Sequence, residues 1–113
     1  MEIYDVQFLQ EALGDLEEIV LYIARDSRQA ALRMHDKIIE KANDLSVFPK
    51  CGRLVPDKKM AVAGYRMLGI MPYIIFYRVV GRNVFIYRVL HGATNYSLLY
   101  EQMMQGTFDE GDK

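Results

Sequence analysis

Residues 64–91 read GYRMLGIMPYIIFYRVVGRNVFIYRVLH and form the most strongly patterned part of the sequence. β-Branched and aromatic residues dominate this segment, while Gly69, Pro72 and Gly81 divide it into short runs. Such runs between turn-forming residues are typical of β-strands joined by tight turns. The segment therefore predicts three successive strands arranged as an antiparallel meander.

Charge is distributed unevenly along the 113 residues, although the net charge is only −1. Residues 61–100 contain four arginines and no lysine, aspartate or glutamate, whereas residues 1–60 contain 11 acidic and nine basic side chains. A cationic sheet with apolar neighbours suits an acidic partner or a polyanion. The alternative is that these arginines are edge residues whose stems cover apolar surface without binding a ligand.

Alternation of side chains along each predicted strand separates two faces of the sheet. One face holds an arginine beside apolar residues in every strand: Arg66 with Leu68 and Ile70, Arg78 with Ile74 and Phe76, and Arg88 with Val84, Ile86 and Leu90. The other face holds aromatic and aliphatic side chains, which other parts of the chain need to cover. We therefore expect helices on that second face, and we expect the arginine-bearing face to stay partly open.

The first half of the chain predicts a short strand at residues 2–6 and then two amphipathic helices. Apolar residues recur at spacings of three and four in both: Leu9, Leu13, Leu16, Val20 and Ile23 in the first, and Ala31, Met34, Ile38, Ala42 and Leu45 in the second. The first helix should end near Arg25, with Asp15 on or near its solvated side, and Ser27 can cap the second helix. Because the link between them is short, the helices should form an antiparallel hairpin that packs on the sheet.

Residues 46–62, which we call the crossing segment, are predicted to run irregularly from the hairpin to the meander. Two prolines and a glycine interrupt helical periodicity there. We expect Phe48 and Leu54 to anchor the segment in the core. Cys51 is the single cysteine, so an internal disulfide is excluded, and we expect it to be a small apolar filler in a protein of a reducing cytoplasm.

The C-terminal part predicts a turn at 92–95, a closing helix at 96–105 and a disordered tail at 109–113, which leaves residues 1–108 as a single domain. The N-terminus does not have the layout of a signal peptide. The longest uncharged apolar run, residues 67–77, is too short to cross a membrane. These features predict a cytoplasmic α+β protein without a membrane segment.

Several short motifs occur in order along residues 4–95. They are Ala12-Leu13-Gly14-Asp15-Leu16 with Tyr22-Ile23, Phe48-Pro49 with Gly52-Arg53, Gly64-Tyr65-Arg66 with Leu68, Tyr73 with Tyr77-Arg78-Val79, and Arg88-Val89-Leu90-His91-Gly92-Ala93. This ordered set resembles the RelE/ParE toxins of bacterial type II toxin–antitoxin modules, in particular the ParE-like, plasmid-stabilisation type. The resemblance implies an α+β fold of order β-α-α-β-β-β(-α), in which the meander packs on a helix hairpin and the first strand joins the sheet.

Two activities compete within that superfamily. The ParE branch binds and poisons DNA gyrase, and the ending at residues 88–93 fits this branch better, although Thr94 stands where its pattern commonly has arginine. The RelE branch consists of ribosome-dependent endoribonucleases that cut mRNA. For such an enzyme the resemblance implies a catalytic set of Arg66 and Arg88, which would stabilise charge, and His91 or Tyr96, which would move protons. Ile74 and residues 92–95 lack the cations that this branch often has.

The resemblance also implies a cognate antitoxin, which forms a hetero-oligomer with the toxin and silences it. We expect an acidic and aliphatic tail of that antitoxin to contact the arginine-bearing face through Arg66, Leu68, Ile74, Phe76, Arg78 and Arg88. Neither a cofactor nor a metal ion is implied. DNA gyrase is the expected target, the ribosome with mRNA is the alternative, and a non-toxic remnant that only binds the antitoxin is a third interpretation.

Overall fold

The computed structural model describes residues 3–92, 98–99 and 101–102. In chain order the elements are β1 (Asp5–Phe8), α1 (Gln10–Ala24), α2 (Arg28–Asp44), β2 (Arg53–Leu54), α3 (Lys58–Val62), β3 (Tyr65–Ile70), β4 (Tyr73–Val80) and β5 (Asn83–His91). Residues 98–99 and 101–102 are helical and are the described part of the predicted closing helix. The predicted tail at 109–113, most of the predicted turn at 92–95 and both ends of the predicted domain 1–108 lie outside the described residues. None of the helices within those residues is long and apolar enough to cross a lipid bilayer.

The strands of the described residues form one sheet in the order β1-β5-β4-β3-β2. β3, β4 and β5 pair antiparallel along the sheet, so the predicted meander and the α+β fold class are confirmed. A two-residue turn joins β4 to β5, and Gly81 in that turn has a φ of 61°. Glycine adopts this conformation without a steric penalty, which explains its position in the turn.

β1 joins the sheet parallel to β5, the last strand of the meander, with Asp5 opposite Asn83. It lies later in the chain than the predicted strand at 2–6. The N–H of Asp5 donates to the carbonyl of Arg82 at 2.9 Å, and the N–H of Leu9 donates to the carbonyl of Ile86 at 2.9 Å. These two hydrogen bonds fix where pairing with β5 begins and ends.

α1 and α2 form the predicted hairpin on one face of the sheet. Ser27 caps α2 as predicted, because its hydroxyl oxygen accepts a hydrogen bond from the N–H of Ala30 at 3.1 Å. Most of the apolar residues predicted to form the stripes of both helices pack against the sheet in a first core cluster, but Leu13 is 52% exposed. The buried members of this cluster are Ala12, Leu16, Ile19, Ile38, Ala42, Leu45, Ile70, Tyr73, Ile75, Tyr77, Val84, Ile86 and Val89. Removing this apolar area from water, at about 25 cal/mol per Å², is what holds the hairpin on the sheet.

The opposite face of the sheet is also buried, which corrects the expectation that only one face would be covered. A second core cluster lies there and consists of Leu9, Val55, Met60, Tyr65, Met67, Phe76, Phe85, Tyr87 and Leu99. Met60 belongs to α3, and Val55 precedes this helix in the crossing segment. Sequence periodicity did not reveal this cover, because α3 is only five residues long and gives no helical repeat.

β5 breaks the strict alternation that the sequence analysis assumed. The pairing register shifts between Phe76 and Tyr77 of β4, where Tyr87 of β5 is an extra residue that forms a β-bulge. The residues of β5 that face the hairpin are Val84, Ile86 and Val89. The prediction that Arg88 and Leu90 share a face with Val84 and Ile86 is therefore wrong.

The crossing segment is not anchored by the residues that were predicted to anchor it. Phe48 is 63% exposed and Leu54 is 45% exposed, so neither lies in the core. Cys51 is exposed as well, which corrects its predicted role as a buried filler. Val55 and Met60 are the buried side chains of this segment, and they lie in the second core cluster.

Gly52 fixes the crossing segment to the sheet through its main chain. Its N–H donates to the phenol oxygen of Tyr77 at 2.9 Å, in a buried hydrogen bond. A Cβ atom at this position would lie 2.7 Å from the carbonyl oxygen of Met67 and 2.8 Å from the Tyr77 oxygen. Only a glycine allows the segment to approach the sheet so closely.

We expect Tyr77→Phe to lower the free energy of unfolding by about 1–2 kcal/mol, because it leaves the buried N–H of Gly52 without its acceptor. Chemical denaturation measures this change. Tyr22→Phe is the matched control, since Tyr22 is 66% exposed, and it should change stability by less than about 0.5 kcal/mol. Equal effects of the two substitutions would show that the Gly52 hydrogen bond contributes nothing.

Stability should also fall in alkaline solution. Burial raises the pKa of the Tyr77 phenol above its ordinary value of 10.0, and burial likewise raises the pKa of Tyr73. The folded state thus favours the neutral form of both phenols. Their contribution to the free energy of unfolding is complete below about pH 10, and it is lost as the pH rises through their pKa in the folded state. Denaturation at a series of pH values should show this decrease, and Tyr77→Phe should make it shallower. An unchanged slope in that variant would assign the decrease to other groups.

Candidate partner-binding site

Arg66 is held by main-chain carbonyls of the crossing segment. Its Nη1 donates to the carbonyl of Gly52 at 2.7 Å and to that of Lys50 at 3.4 Å. β2 brings the segment beside β3, because Leu54 pairs with Arg66. The half-buried guanidinium therefore satisfies carbonyl groups at one edge of the sheet.

Arg88 binds the carboxylate of Asp15 on α1 through two parallel hydrogen bonds. Its Nε donates to Oδ2 at 2.6 Å, and its Nη2 donates to Oδ1 at 2.8 Å. Oδ2 also accepts the main-chain N–H of Val89 at 3.0 Å. Hydrogen bonding to Asp15 is the main cause that raises the pKa of the Arg88 guanidinium above its ordinary value. We call these three hydrogen bonds the Asp15 clamp.

The Asp15 clamp lies where the sheet edge is incomplete. β1 pairs with β5 only as far as Ile86, and no strand of the described chain flanks the remainder of β5 on that side. Asp15 supplies the acceptor that a neighbouring strand would otherwise offer to the N–H of Val89. Because Asp15 is only 8% exposed, its charge-assisted hydrogen bonds are largely shielded from water and correspondingly strong.

Arg78 lies over aromatic rings of the second core cluster. Its guanidinium carbon is 4.9 Å from the centroid of the Tyr65 ring and 5.9 Å from that of Tyr87. Both distances fall within the range of cation–π interactions. The two tyrosine rings contact each other edge to face, with centroids 5.1 Å apart. Arg78 therefore contributes to the packing of this face of the sheet.

The six residues predicted to contact the antitoxin do not share one face. Arg66 and Leu68 lie on the hairpin face, Ile74, Phe76 and Arg78 lie on the opposite face, and Arg88 extends to α1. Phe76 is fully buried. The expectation of one open arginine-bearing face is wrong, because the guanidinium groups of this sheet bind carbonyls, a carboxylate and aromatic rings of their own chain.

The catalytic set implied for RNA cleavage was Arg66, Arg88, His91 and Tyr96. Tyr96 lies outside the described residues. The guanidinium groups of Arg66 and Arg88 are held at opposite edges of the sheet, on β3 and β5, with β4 between these strands. His91 is exposed at the end of β5, where its ring lies edge-on to that of Tyr73 with centroids 5.7 Å apart. The described chain thus keeps Arg66 apart from Arg88 and His91.

A cleft of about 480 Å³ opens between α1 and the end of β5, next to the Asp15 clamp. Its apolar and aromatic lining includes Ile19, Tyr22, Tyr73 and Val89, its acidic members are Asp15 and Glu18, and the predicted site residue His91 lines it as well. Burial is the main cause that raises the pKa of Tyr73, so its phenol is neutral and can donate a hydrogen bond. Such a cleft can hold an apolar side chain together with a cationic group.

The prediction that Asp15 lies on or near the solvated side of α1 is wrong, because Asp15 is only 8% exposed. Sequence reasoning did not identify the cleft as a site either. A signal for Asp15 was present, because this residue follows Ala12 by three positions and precedes Ile19 by four, the spacing of the buried stripe. An acid on the buried side of a helix needs a partner, and the arginine-rich strands offer one. Glu18 and Tyr22 are exposed positions of α1 and carried no comparable signal.

We expect Asp15→Ala to lower the free energy of unfolding by about 2–4 kcal/mol, because it leaves the Arg88 guanidinium and the Val89 N–H without their acceptor. Glu17→Ala is the matched control on the same helix, since Glu17 is exposed. Chemical denaturation compares the two variants, and hydrogen exchange of the Val89 amide should accelerate only in Asp15→Ala. Equal stability of both variants would show that the Asp15 clamp does not help to hold α1 on β5.

Comparison with known proteins agrees with this architecture. A family model described as "ParE toxin of type II toxin-antitoxin system, parDE" matches residues 6–96. A solved chain of the chromosomal ParDE toxin–antitoxin system of P. aeruginosa is 23% identical, with a TM-score of 0.65, and the match covers 79% of this chain and 96% of that chain. No individual curated protein matches the sequence significantly.

A second solved chain comes from the RelBE2 toxin–antitoxin complex of Mycobacterium tuberculosis. It is 26% identical, with a TM-score of 0.60, and the match covers 79% of this chain and 98% of that chain. Both solved chains have the fold described above. Because the family model spans most of the sequence from β1 onward, the chain belongs to the ParE toxin family of type II toxin–antitoxin systems.

Proposed function

We propose that this toxin acts in the bacterial cytoplasm by binding and poisoning DNA gyrase, and that a cognate antitoxin neutralises it. On this proposal the chain makes and breaks no covalent bond. The observation that carries the proposal is the Asp15 clamp, which binds the Arg88 guanidinium inside the protein. The family match over residues 6–96 supports the same branch.

The chemistry of RNA cleavage explains why the clamp matters. Cleavage by the 2′-hydroxyl needs cations near the charged phosphorane and groups that move protons at the attacking and leaving oxygens. Arg66 and Arg88 are the sheet cations implied for this role, yet each binds groups of its own chain at a different edge of the sheet. A binding function requires no such convergence and therefore fits the described residues better.

The antitoxin part of the proposal draws on the solved relatives, which come from ParDE and RelBE2 toxin–antitoxin systems. Five of the six predicted contact residues keep part of their surface exposed, and two of these, Arg66 and Arg88, bind groups of their own chain. We retain the other three as antitoxin contacts: Leu68 on the hairpin face, and Ile74 and Arg78 on the opposite face. Arg53 on β2 and Lys58 at the start of α3 are further exposed cations. Exposed cations beside partly exposed aliphatic side chains suit an antitoxin tail that carries acidic and aliphatic side chains and wraps around the sheet.

A gyrase supercoiling assay with the purified chain tests the target. We expect added toxin to inhibit supercoiling of relaxed plasmid, and we expect excess antitoxin, encoded by the neighbouring reading frame, to restore it. Brief expression in cells should induce the DNA-damage response while primer extension shows intact transcripts. Topoisomerase IV or another ATP-dependent enzyme serves as the specificity control.

Three results would overturn the proposal. Codon-phased cuts in mRNA after brief expression would establish ribosome-dependent endoribonuclease activity in its place. Normal supercoiling and normal growth, together with tight antitoxin binding, would identify a non-toxic remnant. If the purified chain does not bind the antitoxin at all, the proposal that the antitoxin neutralises it is wrong.

A further inference from the structure

We propose that the cleft between α1 and the end of β5 binds an antitoxin segment in which a lysine or arginine side chain lies beside an aliphatic or aromatic one. The inference rests on the proposed function and deepens it, because it states the chemistry of the partner at a defined place. This segment is basic, in contrast to the acidic tail expected at the arginine-bearing sheet.

The apolar lining of the cleft requires an apolar occupant. Ile19 and Val89 are buried beneath it, and Tyr73 contributes one wall. Tyr22 also lines the cleft and is 66% exposed, and the Arg25 guanidinium lies over its ring, 5.7 Å from the centroid. A volume of about 480 Å³ holds a few side chains and falls within the usual size of binding clefts.

The acidic residues on α1 favour a cationic occupant of the cleft. Glu11, Asp15 and Glu18 recur at spacings of four and three on α1, so they share one face of the helix. All three interact favourably with the charge of Arg88, but only Asp15 forms the clamp with it. Three carboxylates thus act on the Arg88 guanidinium, and Arg25, whose guanidinium carbon lies 5.7 Å from the centroid of the Tyr22 ring, adds a second positive charge beside the cleft. The acidic groups of this region still exceed its arginines by one.

Two further observations agree with a negative charge beside the cleft. One carboxylate oxygen of Glu11 is buried and accepts no hydrogen bond from the described residues. Among the described residues that line the cleft, His91 is the one basic side chain, and neither a lysine nor an arginine is present. An acidic segment would be repelled by Glu18, whereas a basic side chain would be attracted to it.

Two adjacent charge reversals on α1 test the proposal with the full-length chain and the antitoxin from the neighbouring reading frame. Glu18→Lys changes a residue of the cleft, whereas Glu17→Lys makes the same change at an exposed position that does not line it. Isothermal titration calorimetry measures antitoxin affinity. We expect Glu18→Lys to weaken binding by about tenfold or more and Glu17→Lys to weaken it by less than about threefold. Tyr22→Ala should also weaken binding, with thermal unfolding confirming that each variant is folded.

A charge swap completes the test. Replacing basic residues of the antitoxin by glutamate, one at a time, should identify one substitution that weakens binding to the unmodified toxin and restores binding to Glu18→Lys. Equal affinities of Glu17→Lys and Glu18→Lys, or the absence of any restoring substitution, would overturn the cleft proposal while leaving neutralisation by the antitoxin intact. If the unmodified toxin does not bind the antitoxin, the neutralisation proposal fails, and the cleft proposal fails with it.

Discussion

The position of α1 depends on a single carboxylate at an incomplete sheet edge. β5 extends beyond the strand that flanks it, so main-chain groups there need partners from elsewhere. Asp15 supplies an acceptor to the Val89 N–H and a counter-charge to Arg88 at the same time. Apolar packing alone is non-directional and would let a helix slide along the sheet. The hydrogen bonds set the register of α1 against β5, and that register creates the cleft beside it.

The arginine pattern of the sheet has an internal explanation. The arginines of this stretch, which contains no acidic residue, bind other groups of their own chain. Arg66 binds carbonyls of the crossing segment, Arg88 binds a helix carboxylate and Arg78 lies over tyrosine rings. A run of like charges along a sequence therefore does not by itself indicate an external ligand. The surface proposed for a basic segment of the antitoxin therefore lies beside α1, while Leu68, Ile74 and Arg78 remain the proposed contacts on the sheet.

Periodicity predicted the parts of the fold that repeat. Alternation and turn residues gave the meander, and spacings of three and four gave the hairpin with its cap at Ser27. The same reasoning failed where one residue changes the geometry. The bulge at Tyr87 exchanges the faces of the residues that follow it in β5, and nothing in the local sequence marks it. The burial of Met60 and the exposure of Phe48 depend on how the crossing segment folds over the sheet, which hydrophobicity alone does not determine.

The parallel pairing of β1 with β5 has a consequence for how the protein is made. The first strand aligns with a segment nearly eighty positions later, and the bonds between Asp15 and Arg88 span 73 positions. Closing such long loops is entropically costly and slows folding, so these contacts form late. A nascent chain on the ribosome cannot complete its sheet until the last strand has left the exit tunnel. Translation products that end before β5 therefore lack the assembled sheet. The folded protein forms only after β5 has been synthesised.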